Sequence, residues 1–114
     1  MSPRALVLLG VALFALATSS CAGTAGIPDR EPDVTGVVAG AGGSGDPVLA
    51  EPSDDYFEGM RLLRGDPVIV RGDDGEPVPS TELDDGDEVE VWTDGACAES
   101  YPVQCGIVAL RLRD

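Results

Sequence analysis

The stretch DDGDEVEVWTDG, residues 84–95, decides the fold class of this chain. Within it, Val89 and Val91 alternate with Glu88 and Glu90, so one side of an extended segment is apolar and the other is charged. Successive side chains of a β-strand point to opposite faces, and this alternation is typical of a strand with one buried face. The stretch therefore predicts a half-buried β-strand over residues 88–93.

The same alternation predicts a final strand over residues 104–113, where Val108, Leu110 and Leu112 alternate with Ala109, Arg111 and Arg113. Other β-prone runs, separated by Gly, Pro and Asp at the spacing typical of a sandwich or barrel, lie at residues 34–41, 47–51, 59–64 and 67–71. Five or six strands in about 80 residues fit a small, partly open barrel of OB type. We therefore predict an all-β, OB-like barrel over residues 34–114.

The predicted core consists of apolar residues on or beside these runs: Val34, Val37, Leu49, Leu62, Ile69, Leu83, Val89, Val91, Val108, Leu110 and Leu112. Turns are predicted where Gly, Asp and Pro cluster between runs, at residues 42–45, 65–67 and 73–75. Residues 80–83 fit a single helical turn capped by Ser80 or Thr81.

Residues 1–20 have the organisation of an export signal, in which a positive charge at Arg4 precedes an apolar run and then small residues. The apolar run covers residues 5–17, and as a helix it would span roughly 20 Å, short of the roughly 30 Å of a bilayer core. These proportions favour a cleaved signal over a permanent membrane helix.

The signal ends at Thr18-Ser19-Ser20-Cys21, which resembles the lipobox of bacterial lipoproteins, with Thr18 where those boxes usually carry Leu. The resemblance implies that Cys21 is acylated and anchors the chain to the membrane. The alternative is ordinary secretion after Ala17, with Cys21 left as a thiol. Either route predicts a location outside the cytoplasm. Residues 21–33, rich in Gly, Pro and Ala, are predicted to form a flexible tether.

The chain is strongly acidic, with a formal net charge of −14 and neither lysine nor histidine. Removing the signal takes away Arg4 and leaves the mature part at −15. Nucleic-acid binding requires cations that neutralise phosphates, and docking on anionic lipid requires a basic patch, so we expect neither. Solubility is the simplest role of this charge.

Residues 83–92 follow the pattern Leu-x-x-Gly-Asp-x-Val-x-Val-Trp, and residues 99–104 follow Glu-Ser-Tyr-Pro-x-Gln. Together these motifs resemble the YobA-like family, a domain of unknown function in small exported bacterial proteins, many of them lipoproteins. The resemblance implies an OB-like barrel and an envelope location, without an established activity. Cys97 and Cys105, and the acidic loop around Asp73, depart from the family pattern.

Cys97 and Cys105 flank the second motif and form an even pair once Cys21 is acylated. In an oxidising compartment the expected state of such a pair is a disulfide, which would stabilise the domain by roughly 2.5 kcal/mol in the chain-entropy model. The alternative is a redox or metal pair. A metal pair would need further ligands, and the chain has no histidine to supply them.

Four residues form the predicted interaction surface: Trp92, Glu99, Tyr101 and Gln104. In the alternative, structural interpretation, Tyr101-Pro102 fixes the entry to the last strand while Glu99 and Gln104 satisfy backbone groups of the loop. The acidic runs at residues 73–76 and 84–88 lack the spacing of a calcium loop and are interpreted as solvated turns, so no metal and no cofactor are predicted.

These observations predict an exported, membrane-anchored lipoprotein whose barrel binds an envelope protein or oligosaccharide, and no enzyme. The absence of histidine removes the commonest general base at neutral pH. Two alternatives remain open: a small envelope hydrolase that uses carboxylates such as Glu99, and a structural component, secreted or part of a larger assembly. An exposed aromatic surface near Trp92 and Tyr101 would favour binding, and paired carboxylates in a pocket would favour catalysis.

Overall fold

The computed structural model describes residues 26–42 and 46–113. The predicted signal, Cys21, the first part of the tether and most of the glycine turn at residues 42–45 lie outside the described residues. Within the described ranges, no helix is long and apolar enough to cross a membrane.

Six strands form one mixed sheet in the order β2-β1-β5-β6-β3-β4. Their bounds are β1 Val34–Ala39, β2 Val48–Ala50, β3 Val68–Arg71, β4 Glu76–Pro77, β5 Glu88–Ala98 and β6 Gln104–Arg113. Neighbouring strands are antiparallel except β3 and β6, which run parallel. The sheet is not closed, and the helical elements of the described ranges are two 3₁₀ turns, at Asp55–Phe57 and Ser80–Glu82. The predicted all-β, partly open barrel of five to six strands is confirmed.

The β5–β6 hairpin is the centre of the sheet and follows the alternation that the sequence shows. Val89 and Val91 are buried on one face, while Glu88 and Glu90 lie on the other. The pairing contains a bulge: Trp92 pairs with Ala109 and Thr93 with Ile107, so Val108 has no opposite residue. A bulge shifts the alternation by one residue.

Two predicted core residues, Val37 and Val108, are wrong. In each case the core face of the strand carries a neighbouring residue instead. Ile107 is buried in place of Val108, which the bulge turns away from the core. In β1, Val34 and Val38 share the core face, and Val37 lies half-buried on the opposite face. The other predicted core residues are all buried: Val34, Leu49, Leu62, Ile69, Leu83, Val89, Val91, Leu110 and Leu112.

Residues 59–64 do not form the predicted strand. Only Arg61 forms a bridge, to Val48, while Met60 and Leu62 are buried. The segment is bounded by Gly59 and Gly65, both at positive φ, so the chain turns before a ladder can develop. It still covers the free edge of β2, since the N–H of Leu49 donates to the Met60 carbonyl at 2.9 Å.

The turn at residues 73–75 is confirmed and joins β3 to β4, a two-residue strand that was not predicted. Gly75 has φ +70° and its N–H donates to the Gly72 carbonyl. Ser80–Glu82 forms the expected helical turn as a single 3₁₀ turn. Pro79 stands at its N-cap and no side chain caps it, contrary to the predicted Ser80 or Thr81 cap.

Candidate functional site

The β5–β6 hairpin ends in a loop that a disulfide closes at its base. Cys97 and Cys105 are cross-strand partners and their sulfur atoms are bonded, which confirms the predicted bridge. Cys105 is fully buried and Cys97 packs against the core cluster, so the bridge ties the loop to the domain interior. A structural disulfide is compatible with an extracytoplasmic location. We call residues 97–105 the hairpin tip.

The hairpin tip is fixed by its own hydrogen bonds. The N–H of Ser100 donates to the Ala98 carbonyl at 2.7 Å, and its hydroxyl donates to the Pro102 carbonyl at 2.8 Å. The Tyr101–Pro102 peptide is cis, and the next side chain, Val103, is buried in the core. This arrangement leaves Tyr101 95% exposed at the end of a defined loop.

A second segment, residues 54–59, packs beside the hairpin tip. Its 3₁₀ turn, Asp55–Phe57, is capped by Asp54, whose carboxylate accepts from the N–H of Tyr56 at 3.0 Å. Phe57 points towards the core, and its ring meets the ring of Tyr56 edge-on at 4.9 Å. Gly59 lies so close to the Pro102 ring that a β-carbon there would stand 3.3 Å from it. We call residues 54–59 the flanking turn.

Tyr56 and Glu99 connect the two segments. The Tyr56 hydroxyl donates to Glu99 Oε2 at 2.6 Å, and this hydrogen bond raises the pKa of the tyrosine. Tyr56 is 45% exposed, so this hydrogen bond lies at the surface. Sequence analysis missed Tyr56. The signal was present in the run DDYFEG, residues 54–59, where two aromatic residues stand among acidic ones in a turn.

The remaining tip residues serve the loop itself. Gln104 begins β6 and its amide Nε2 donates to the Pro102 carbonyl at 3.4 Å. Its Oε1 is buried and has no hydrogen-bond partner among the described residues. Ser100 bonds only within the loop. Ser100 and Gln104 therefore have a structural role within the loop. Glu99 instead contacts the flanking turn, and the Tyr101 side chain is exposed to solvent.

Trp92 does not belong to this exposed surface. It is 1% exposed, its indole Nε1 donates to the Arg30 carbonyl at 2.8 Å, and the Arg111 guanidinium lies 5.3 Å from the ring centroid. Of the four residues of the predicted interaction surface, Trp92 is therefore buried within the chain, whereas Tyr101 is exposed. Trp92 lies on the outer face of the sheet, opposite the main core, where residues 26–33 cover it.

Residues 26–33, which we call the strap, cross the outer face of the sheet instead of forming a free tether. Arg30 donates to the Thr93 carbonyl at 2.9 Å, and the Asp33 carboxylate accepts from the Thr93 N–H at 2.7 Å. Arg30 and Asp33 also form an ion pair at 2.9 Å. Burial raises the pKa of Asp33, but the Thr93 N–H and the Arg30 guanidinium together outweigh it and lower the pKa. In the described part of the predicted tether, Arg30 and Asp33 are therefore held against the sheet by hydrogen bonds.

A shallow cavity of about 470 Å³ lies on the same outer face, between β1 and the hairpin. It is lined by Val37, Glu51, Glu88, Glu90 and Arg113, among others. Two of its charged residues form ion pairs, Glu90 with Arg111 at 2.7 Å and Arg113 with Asp73 at 2.7 Å. The pairing of Asp73 with Arg113 lowers the pKa of the Asp73 carboxyl.

In the acidic run at residues 84–88, two carboxylates accept hydrogen bonds from backbone N–H groups. Asp85 Oδ1 accepts from the Ala41 N–H at 2.6 Å, and Asp87 Oδ2 accepts from the Asp84 N–H at 3.0 Å. In the described part of the chain, no three acidic or cysteine side chains converge as a metal site would require.

Comparison of the chain with protein-family models, with curated proteins and with solved structures gives no match. The resemblance to the YobA-like family stays a prediction.

Proposed function

We propose that this protein is an exported, membrane-anchored lipoprotein whose barrel domain binds another envelope molecule through the hairpin tip and the flanking turn. The observation that carries the proposal is the 95% exposure of Tyr101 on a loop that a disulfide and its own hydrogen bonds hold in place. Exposed aromatic side chains on a rigid support provide contact area at low conformational cost, and such residues dominate binding hot spots.

The anchor belongs to the proposal through the sequence of residues 1–21. A short apolar run, small residues and Cys21 favour acylation, and two or more acyl chains are enough for stable anchoring. Cys21 precedes Gly26 by five residues, so the chain between them can span at most about 18 Å. The barrel would therefore work close to the membrane surface.

Binding is better supported than the alternative of a carboxylate hydrolase. Glu99 has the Tyr56 hydroxyl as its partner and stands on an exposed loop, whereas a glycosidase places two carboxylates on either side of a bound sugar.

Site-specific photo-crosslinking in native membranes tests the proposal. A photoreactive phenylalanine analogue in place of Tyr101 should capture a partner, and the same analogue at exposed Thr81 serves as the matched control. The double change Tyr101→Ala/Glu99→Ala should abolish co-purification of that partner while leaving the melting temperature within a few degrees of wild type. Equal capture from both positions would contradict a binding site at the tip.

The anchor is tested separately by the intact mass of protein extracted from native membranes. The expected mature form begins at Cys21 and carries lipid. A form that begins at Thr18, or at an unmodified Cys21, would refute the anchor and leave the binding proposal to be judged by crosslinking alone.

A further inference from the structure

We propose that the turn Arg64-Gly65-Asp66 is a second interaction site of this protein, and that its partner is a protein with an acidic site that holds a divalent cation. The Arg64 guanidinium binds a carboxylate of that site, and the Asp66 carboxylate binds the cation. The turn contains no residue of the hairpin tip or the flanking turn, so this inference goes beyond the proposed function.

The tripeptide Arg-Gly-Asp occurs twice in the chain, at residues 64–66 and 71–73, and the structure uses the two copies differently. The glycine has a positive φ in both, +91° in the first copy and +74° in the second. In the second copy both charged side chains form ion pairs within the domain: Arg71–Glu82 at 3.6 Å and Asp73–Arg113 at 2.7 Å. The charges of that copy therefore serve the fold.

Neither charged side chain of the first copy is paired. Arg64 and Asp66 are exposed, and no ion pair or side-chain hydrogen bond joins either of them to another described residue. Every other arginine of the described ranges pairs with a carboxylate. With 21 acidic residues against seven basic ones, carboxylate partners are plentiful, so an arginine that pairs with none of them points to a partner outside the chain.

The backbone of this turn is held in place. The Asp66 N–H donates to the Leu63 carbonyl at 3.3 Å, and the Ile107 N–H of β6 donates to the Arg64 carbonyl at 2.9 Å. A β-carbon at Gly65 would stand 3.4 Å from the backbone of Ile107, so the turn lies against the sheet. The two charged residues therefore stand on an ordered backbone, with α-carbons at most about 7 Å apart, and binding orders only their side chains.

A backbone role alone does not account for this pair of charges. Asp66 has φ +55°, and Asp and Asn are among the non-glycine residues that adopt this region most readily. Asn would therefore meet the needs of the turn as well as Asp does. The backbone also assigns no role to the Arg64 guanidinium.

The chemistry of the partner follows from the two opposite charges. A basic partner would be attracted to the acidic surface in general and repelled by Arg64, whereas a purely acidic one would be repelled by Asp66 and by the net charge of −14. An acidic site with a bound Mg²⁺ or Ca²⁺ satisfies both residues. Its carboxylate binds the guanidinium, and its metal ion accepts a further carboxylate oxygen in place of water.

The experiment measures which envelope proteins the immobilised, disulfide-bonded protein retains from detergent-solubilised native membranes in the presence of Mg²⁺ and Ca²⁺. We expect a retained protein that EDTA elutes. The soluble peptide Leu-Arg-Gly-Asp-Pro-Val, which copies residues 63–68, should compete for it. The same peptide with Asn in place of Asp lacks the metal-binding carboxylate and should not compete.

The variants use the second copy of the tripeptide as their control. Asp66→Asn should weaken retention about tenfold, because it suits the left-handed backbone and removes the carboxylate that binds the metal ion. Arg64→Gln should weaken it about fivefold. The matched control, Arg71→Gln/Asp73→Asn, makes the same changes in the second copy and should leave retention unchanged. Equal weakening by the control, or full retention by Asp66→Asn, would overturn the inference.

Two further measurements separate the remaining outcomes. Retention that needs Asp66 but withstands EDTA would place a basic side chain opposite the carboxylate and would overturn the metal assignment. Tyr101→Ala should leave retention unchanged, and its loss in that variant would show one site at the hairpin tip. If no protein is retained, this inference fails, while crosslinking from position 101 still decides the proposed function.

Discussion

Trp92 and Tyr101 stand on the same hairpin, nine residues apart, yet one is 1% exposed and the other 95% exposed. Both are large aromatic residues beside acidic neighbours. The difference arises from what covers them: the strap lies over Trp92, and nothing in the described chain lies over Tyr101. An aromatic residue in a sequence provides a large surface for contact. Whether another segment of the same chain buries that surface depends on the path of that segment, which can be distant in sequence.

The largest effect should come from removing the covered ring. Trp92→Ala would leave a large cavity between the sheet and the strap and would break the hydrogen bond to the Arg30 carbonyl. We expect a loss of about 3–5 kcal/mol in the free energy of unfolding, measured by urea denaturation. A loss below about 1 kcal/mol would show that the strap contributes little and that Trp92 is accessible in solution.

A smaller effect is expected at the base of the hairpin tip. The double change Cys97→Ala/Cys105→Ala removes a bridge between residues eight apart and should lower the free energy of unfolding by about 2.5 kcal/mol. Far-UV circular dichroism should still report a β-structure at low temperature. The non-reduced native protein should show neither of these two thiols reactive towards an alkylating reagent, and free reactivity of both would refute the bridge.

The strand alternation could be predicted from the sequence, whereas the strap could not. Residues 88–91 and 110–113 show their buried and exposed faces directly, because a pleated strand repeats every two residues. The strap has no such period. Its contacts depend on single hydrogen bonds, such as that from Thr93 to Asp33, between residues sixty positions apart. Such contacts leave no local pattern for sequence reasoning to detect.

The candidate site could likewise be predicted only where it depends on local sequence. The disulfide and the loop between Cys97 and Cys105 follow from local sequence, whereas the different exposure of Trp92 and Tyr101 does not. Tyr56 was missed because its relation to Glu99 exists only after the flanking turn packs on the hairpin. The bulge at Val108 likewise depends on strand pairing, and it moved the buried position to Ile107.

The strap's charge contributes a third, still smaller effect. Because the pKa of Asp33 is lowered in the folded protein, its charged form stabilises the fold at pH values above the unfolded-state pKa of about 3.9. This contribution is lost as the pH falls through the lower folded-state pKa. Asp33→Asn keeps an oxygen that can accept from the Thr93 N–H, and it removes the charge together with the second acceptor, which binds Arg30.

We expect Asp33→Asn to lose about 1 kcal/mol at pH 7, and to converge with the wild type as the pH falls below 4. Urea midpoints measured from pH 2.5 to pH 7 check this. Asp29→Asn, which removes an exposed charge from the same strap, is the matched control and should be neutral. A constant difference between Asp33→Asn and wild type across the whole range would contradict the assignment.

The smallest effect on stability is expected at the uncovered ring. Tyr101→Ala removes a side chain that buries almost nothing, so the free energy of unfolding should change by less than about 0.5 kcal/mol. Tyr101→Phe is the conservative control, because it keeps the ring and loses only the hydroxyl. If the alanine variant is as stable as wild type but no longer captures the partner while the phenylalanine variant does, the ring serves binding alone. If the alanine variant instead loses as much stability as Trp92→Ala, the tip is a structural element like the strap, and the contrast between the two aromatic residues disappears.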